Sequence, residues 1–191
     1  MKKNIAIISV IIIVLFSCSY NKYGINNPIV QDNIDSIRKY CTREIKLTHE
    51  KYEFVYLDEE CWGERRKQWI FADSIDKYCS IEDLKSLATK HESNTIRIVA
   101  FQLLMKRNQH EASQILISNI NNNDTIGCGR LDQVLENSMS GIMAQVIFDP
   151  RHNYYVSKED SLAIDRVIRN SSAYDYYKLH IEYTGTNEEE P

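Results

Sequence analysis

The 191-residue chain lacks most of the short patterns that carry enzyme chemistry. No two of its five cysteines stand at CxxC spacing, so thioredoxin-like redox chemistry and zinc ribbons have no support. His49, His91 and His110 are each followed by a glutamate, but none has a second histidine three residues beyond it, and the zinc-protease helix is therefore absent. The five histidines are scattered singly, which gives no metal-ligand spacing and predicts no metal and no cofactor. There is no GxSxG elbow and no phosphate-binding loop, and Gly127 and Gly129 are isolated glycines rather than a dinucleotide fingerprint. Positive charge is also in short supply: 23 Lys and Arg against 27 Asp and Glu give a net −4. Without a basic stripe the chain is not expected to grip nucleic acid or anionic headgroups. No apolar run reaches the roughly 20 residues needed to span a bilayer.

The longest such run, Ile5 to Phe16 broken only by Ser9, follows Lys2 and Lys3 and has the layout of a secretory signal. It ends in Leu15, Phe16, Ser17 and Cys18, which resembles the lipobox of bacterial lipoproteins. The resemblance implies cleavage before Cys18, acylation of that residue by palmitate-type chains, and a bilayer as the first partner. More than one acyl chain is required for durable anchoring. Loss of residues 1–17 leaves 174 residues and, because the leader holds Lys2, Lys3 and no carboxylate, moves the formal charge from −4 to −6. Ser19, Tyr20, Asn21 and Lys22 offer no acidic surface-export tag of the kind some such lipoproteins carry, so the resemblance favours a periplasm-facing outer-membrane location.

The remaining cysteines, Cys41, Cys61, Cys79 and Cys128, enter a compartment that permits disulfides. Three pairings are open, and burial as thiols is the alternative.

Along the chain, residues 18–31 have the composition of a lipidated tether, with Gly24, Asn26, Asn27 and Pro28. A helical domain is expected over 32–180 and a disordered acidic tail over 181–191. Ile34, Ile37, Tyr40, Cys41 and Ile45 mark an amphipathic helix between Asp32 and Glu50. Residues 52–57 suit a short strand or an extended connector. Helical spacing resumes from Glu64 to Tyr78, and Ser80 with Asp83 caps a helix starting at Ile81. Asn94 offers a further cap. The next segment is apolar on two faces, one with Ile96, Val99, Ala100, Leu103 and Leu104 and another with Ile98, Phe101 and Met105, so it is expected to lie between layers.

Leu84, Leu87 and Ala88, then Asn94, Thr95, Ile96, Arg97, Ala100, Phe101, Leu103 and Leu104, then Ile115, Leu116, Ile120 and the polar turn 121–125, resemble HEAT-type helical repeats. More narrowly, they resemble bacterial lipoproteins with a HEAT-like helical domain and no assigned activity. The resemblance covers about residues 81–125 and implies antiparallel helical hairpins, with no second copy of the repeat. A turn-rich loop around Cys128 and a helix over Leu131–Asp149, interrupted at 138–141, follow. Ser157 and Asp160 cap a late helix carrying Leu162, Ala163, Val167 and Ile168. The fold class expected is all-α or mostly α.

Two surface features invite function. Asp58, Glu59 and Glu60 beside Trp62 form an acidic loop that suits a glycosidase-like carboxylate pair, against the plainer reading of a solvated loop. Trp62, Arg65 and Arg66 suit a protein-binding anchor, against an exposed helix start whose tryptophans face the core. The sequence therefore points to a membrane-anchored envelope protein acting as a binding or scaffolding module with a protein partner, without catalysis. An envelope hydrolase and an inhibitor or immunity-type protein are the alternatives.

Overall fold

The computed structural model describes residues 23–44, 51–57, 66–130, 133–149, 154–171 and 173–174. Cys18, the acidic residues 58–60, Cys61, Trp62, Arg65 and the tail from 175 lie outside them. Among the described residues there are seven helices and a four-stranded mixed sheet. The chain is mostly helical, and the sheet corrects the expectation of a single strand.

The order is α1 (Pro28–Tyr40), β1 (Thr42–Glu44), β2 (Lys51–Tyr56), α2 (Arg66–Tyr78), α3 (Ile81–Lys90), α4 (Asn94–Arg107), α5 (Gln109–Ser118), β3 (Thr125–Arg130), β4 (Gln133–Ser138), α6 (Met139–Phe148) and α7 (Lys158–Ile168). The strands lie side by side in sequence order; β1/β2 and β3/β4 are antiparallel, while β2 and β3 are parallel through Phe54↔Gly127, Val55↔Cys128 and Tyr56↔Gly129. Parallel neighbours need a long crossover. Here α2, α3, α4 and α5 supply it, so the helical middle of the sequence is the connection between the two central strands.

Helix α4 is the centre of the core. Every residue from Thr95 to Met105 is buried, and the helix packs against α1, α2, α3, α5, α6 and β2. Its two apolar faces leave no side fit for water, which is why it is enclosed. The cap signals in the sequence are realised with small shifts. Ser80 and Asp83 form a reciprocal capping box on α3, Ser157 caps α7, and Ser93 rather than Asn94 caps α4.

Four expectations are corrected. The first helix begins at Pro28, which suits an N1 position, and ends at Tyr40; Thr42–Glu44 is a strand, and Ile45 lies outside the described residues. The glycine-containing stretch around Cys128 is strand β3, with Ile126 and Cys128 buried at the two-residue period of a sheet face. The segment expected to continue a helix from Leu131 is strand β4, paired residue for residue with β3 from Thr125↔Ser138 to Arg130↔Gln133, and helix begins only at Met139. Short apolar runs such as Val134–Leu135 fit either period, and pairing with a neighbouring strand decides between them. On α7 the core face is Asp160, Ile164 and Ile168, whereas Leu162 is exposed.

The fold also begins earlier than the composition of a tether suggests. The Tyr23 ring stacks on His91 at 4.4 Å, its carbonyl accepts from Ser86 Oγ at 3.1 Å, and its hydroxyl accepts from the Glu92 amide at 3.3 Å. Ile25 is buried. Gly24, at φ +78°, takes the left-handed conformation that lets the chain turn between them.

Candidate functional site

Strand β2 is held by the Cys41 carbonyl and by side chains of α2 and α4 that substitute for missing strand neighbours. The Cys41 carbonyl accepts from the Phe54 amide at 2.9 Å. Gln68, fully buried on α2, accepts from the Tyr56 amide and donates to the Tyr56 carbonyl, both at 2.9 Å. On α4, Thr95 Oγ1 donates to the Phe54 carbonyl at 3.0 Å, and the Thr95 amide donates to Glu53 Oε2 at 3.1 Å. A carboxylate at the first turn of a helix is favoured by the dipole, which fixes Glu53 there.

These restraints leave the first half of β2 between two clefts. One, of about 690 Å³, is lined by the end of α1, by β1 and by Lys51 and Glu53. It brings together Arg38, Lys39, Arg43 and Lys51 with Asp35, Glu44 and Glu53. The other, of about 640 Å³, shares Lys51 and Glu53 and is completed by Tyr52, Glu92, Asn94 and the start of β3 with Glu136. Arg43 is shaped by its neighbours: its guanidinium lies 4.8 Å from the Phe54 ring centroid, and Nη2 donates to the Tyr56 hydroxyl at 3.4 Å. Arg38 pairs with Glu92 at 3.1 Å across the rim. Alternation along β2 puts Lys51 and Glu53 on one face and Tyr52, Phe54 and Tyr56 on the other.

No feature singled out in the sequence coincided with these clefts. The signal was there in local form: residues 38–51 contain Arg38, Lys39, Arg43, Lys46 and Lys51 against Glu44 and Glu50, a stretch of net +3 inside a chain of net −4. Whole-chain charge conceals it, and only the turn from α1 into the sheet brings Lys51 back beside Arg38.

Of the residues expected to carry function, Arg66 stands exposed at the first position of α2, while Cys18, Trp62 and Arg65 lie outside the described residues. Cys41, Cys79 and Cys128 are buried, and Cys41 and Cys79 are thiols. Burial pushes the Cys41 thiol up to about 12, with Glu53 adding to the effect and Arg43 opposing it; Cys41 Sγ lies 3.3 Å from Gln68 Oε1. Burial likewise pushes Cys79 up to about 12, aided by Asp83 and Asp76 and opposed by Arg107. A thiol held in that range is neither a nucleophile nor a ready metal ligand. Among the described residues no group of three or more His, Cys, Asp and Glu is placed to hold a metal ion.

Two polar centres sit apart from the clefts. Asp160, buried on α7, accepts from His110 Nδ1 at 3.0 Å, from Ser157 Oγ at 2.8 Å and from Gln114 Nε2 at 3.3 Å, tying α7 to α5. Burial resists its ionisation, but these hydrogen bonds outweigh it and hold the carboxyl below its ordinary range. Arg97 reaches the Ala88 carbonyl at 3.3 Å and Asn119 Oδ1 at 3.0 Å, which joins α4 to the ends of α3 and α5. Burial lowers its pKa and Asp124, 3.8 Å away, opposes the shift; a guanidinium stays charged nonetheless. Both centres join elements of the core, and neither opens into the two clefts.

Among the described residues no helix is long and apolar enough to cross a membrane. In comparisons with protein-family models, curated proteins and solved structures the chain matches none of them, so the reading of its role rests on its own residues.

Proposed function

We propose that the protein is an envelope lipoprotein anchored through acylated Cys18, whose helical and sheet domain serves as a protein-binding or scaffolding module at the periplasmic face of the outer membrane. The observation that carries the reading is Leu15-Phe16-Ser17-Cys18 at the end of a basic-then-apolar leader. Tyr23, five residues after the cysteine, is bonded to Ser86 and Glu92 of the domain, which fits a domain seated close to its anchor. The α3–α5 stretch is read as a single HEAT-like unit built into a mixed-sheet domain. The partner is assigned to the segment Trp62–Arg66, of which the exposed Arg66 is the described part.

Two experiments test this. Labelled palmitate should enter the wild-type chain and not Cys18→Ala; equal labelling of both would sink the anchor. Crosslinking in intact cells should enrich one envelope protein, and Trp62→Ala or Arg65→Ala should abolish the enrichment. Survival of the crosslink in both variants would remove the partner face from that segment.

A further inference from the structure

At the junction of α3 and α4 a buried imidazole and the first described residue of the chain hold each other in place. We propose that His91 is an acid-sensitive catch on the N-terminal strap: neutral, it keeps Tyr23 docked on the domain, and protonated, it lets Tyr23 go. The catch works whether or not Cys18 carries lipid. With the anchor proposed above, Tyr23 stands five residues from it, so its release frees the end of the domain nearest the acylated cysteine.

His91 is fixed from both sides. The residue is 4 % exposed, and its backbone amide closes α3 on the Leu87 carbonyl at 3.3 Å. Its Nδ1 accepts from the Ser93 amide at 3.0 Å, which an imidazole does only through a bare nitrogen, so the ring is neutral with its proton on Nε2. Ser93 has no freedom to turn away, because its Oγ caps α4 at the Ile96 amide and its carbonyl accepts from the Arg97 amide. The Tyr23 ring lies on the imidazole with 4.4 Å between centroids and 29° between planes. Ser86 Oγ, donating to the Tyr23 carbonyl, and the Glu92 amide, donating to the Tyr23 hydroxyl, complete the docking.

Protonation breaks this arrangement at one atom. An imidazolium bears hydrogen on both nitrogens, so Nδ1–H would face the Ser93 N–H and the ring has to turn. Stacking on Tyr23 alone would tolerate the charge, but a turned ring removes the surface on which Tyr23 lies. The charged groups around the junction are engaged elsewhere or exposed. Glu92 pairs with Arg38 of α1 at 3.1 Å, Glu53 of β2 accepts from the Thr95 amide, and Arg97 of α4 donates to the Ala88 carbonyl. Lys90 is exposed at the end of α3, and Lys51 and Glu136 line the cleft that Glu53 and Glu92 share. Because only the undocked form takes up the proton, docking is at full strength above the ordinary histidine value of about 6.5 and weakens as pH falls below it.

The test is residue-resolved amide hydrogen exchange on the full chain as purified from cells in detergent, from about pH 7.5 to about 5, with each rate corrected for the intrinsic pH dependence of exchange. The amides of Glu92 and Ser93 report directly, since their acceptors are the Tyr23 hydroxyl and His91 Nδ1. Protection of both should fall about tenfold per pH unit below about 6.5, which is one proton per release. The Tyr56 amide, held by Gln68, should keep its protection. His91→Asn offers Oδ1 in place of Nδ1 and carries no titratable group, so protection in that variant should not vary with pH. Tyr23→Phe removes the hydroxyl and should expose the Glu92 amide at every pH while Ser93 still follows the pH. Level protection of Glu92 and Ser93 in the wild type, a slope that survives in His91→Asn, or an equal fall at Tyr56 overturns the proposal; the last would mark global acid unfolding instead. A circular dichroism melt checks the fold of each variant. If His91→Asn does not fold, Tyr23→Phe still decides: a Glu92 amide that stays protected there, or a Ser93 amide that ignores pH, overturns the catch. Palmitate labelling is read separately, and its failure would remove the anchor without touching this result.

Discussion

Gln68 and Tyr56 meet through two hydrogen bonds of 2.9 Å, so that one side-chain amide on α2 pairs both backbone groups of a strand residue as a neighbouring strand would. Beyond Glu53 strand β2 has no β1 partner, and this contact, with the Cys41 carbonyl, closes the open part of its edge. Gln68→Ala leaves a buried N–H and a buried C=O unpaired, at roughly 1 to 3 kcal/mol each. Urea unfolding should therefore show a loss of about 3 kcal/mol. A loss below about 0.5 kcal/mol, the size of an ordinary surface change, would mean that water or a backbone shift satisfies Tyr56.

How much of this was legible in the sequence depends on the range of the forces involved. The caps at Ser80 and Ser157 and the doubly apolar α4 were visible because capping and helical periodicity are local. The sheet was not, because β3 and β4 draw their stability from neighbours distant in sequence, and Gly127 and Gly129 look like turn residues until β2 lies beside them. The docked Tyr23 was hidden for the same reason: its partners Ser86, His91 and Glu92 are more than 60 residues away. The charged cleft between α1 and the sheet depends on the antiparallel pairing of β1 with β2, which no charge count reveals.

The buried thiols give a chemical prediction. With Cys41 and Cys79 pushed up to about 12, only about one thiol in ten thousand is ionised at pH 8. Iodoacetamide at that pH should leave both unmodified in the native protein and alkylate both in denaturant, read by peptide mapping. Native-state labelling of Cys41 within minutes would contradict the burial that Gln68 and the β2 edge impose on it.

Asp160 makes stability depend on acid. Its folded-state pKa is lowered, so the carboxylate stabilises the fold fully above its unfolded value near 3.9, and that contribution is lost as pH falls through the folded value. The difference in unfolding free energy between wild type and Asp160→Asn should thus be constant from pH 7 to about 5 and shrink below about 4. A gap that stays level down to pH 2 would show that Asp160 acts through its shape and not through its charge.

Arg97 makes two kinds of bond, an ion pair with Asp124 and hydrogen bonds to Ala88 and Asn119. Its contact with Asp124 is long, at 3.8 Å, and Asp124 is 63 % exposed, so solvent screens it. Such pairs contribute under about 1 kcal/mol. Its bond to the Ala88 carbonyl is buried and its bond to Asn119 is part-buried, so removing the guanidinium strands the carbonyl and costs a charged hydrogen bond at Asn119. Charged hydrogen bonds of this sort contribute about 1.5 to 3 kcal/mol. Arg97→Ala should accordingly lose about 3 kcal/mol in chemical denaturation, and Arg97→Lys should recover little of it, because a compact ammonium does not reproduce the planar fork that reaches two helix ends at once. Asp124→Asn should lie within about 0.5 kcal/mol of wild type. If Asp124→Asn instead costs as much as Arg97→Ala, the ion pair rather than the helix-end carbonyl and amide is what holds Arg97 in the core.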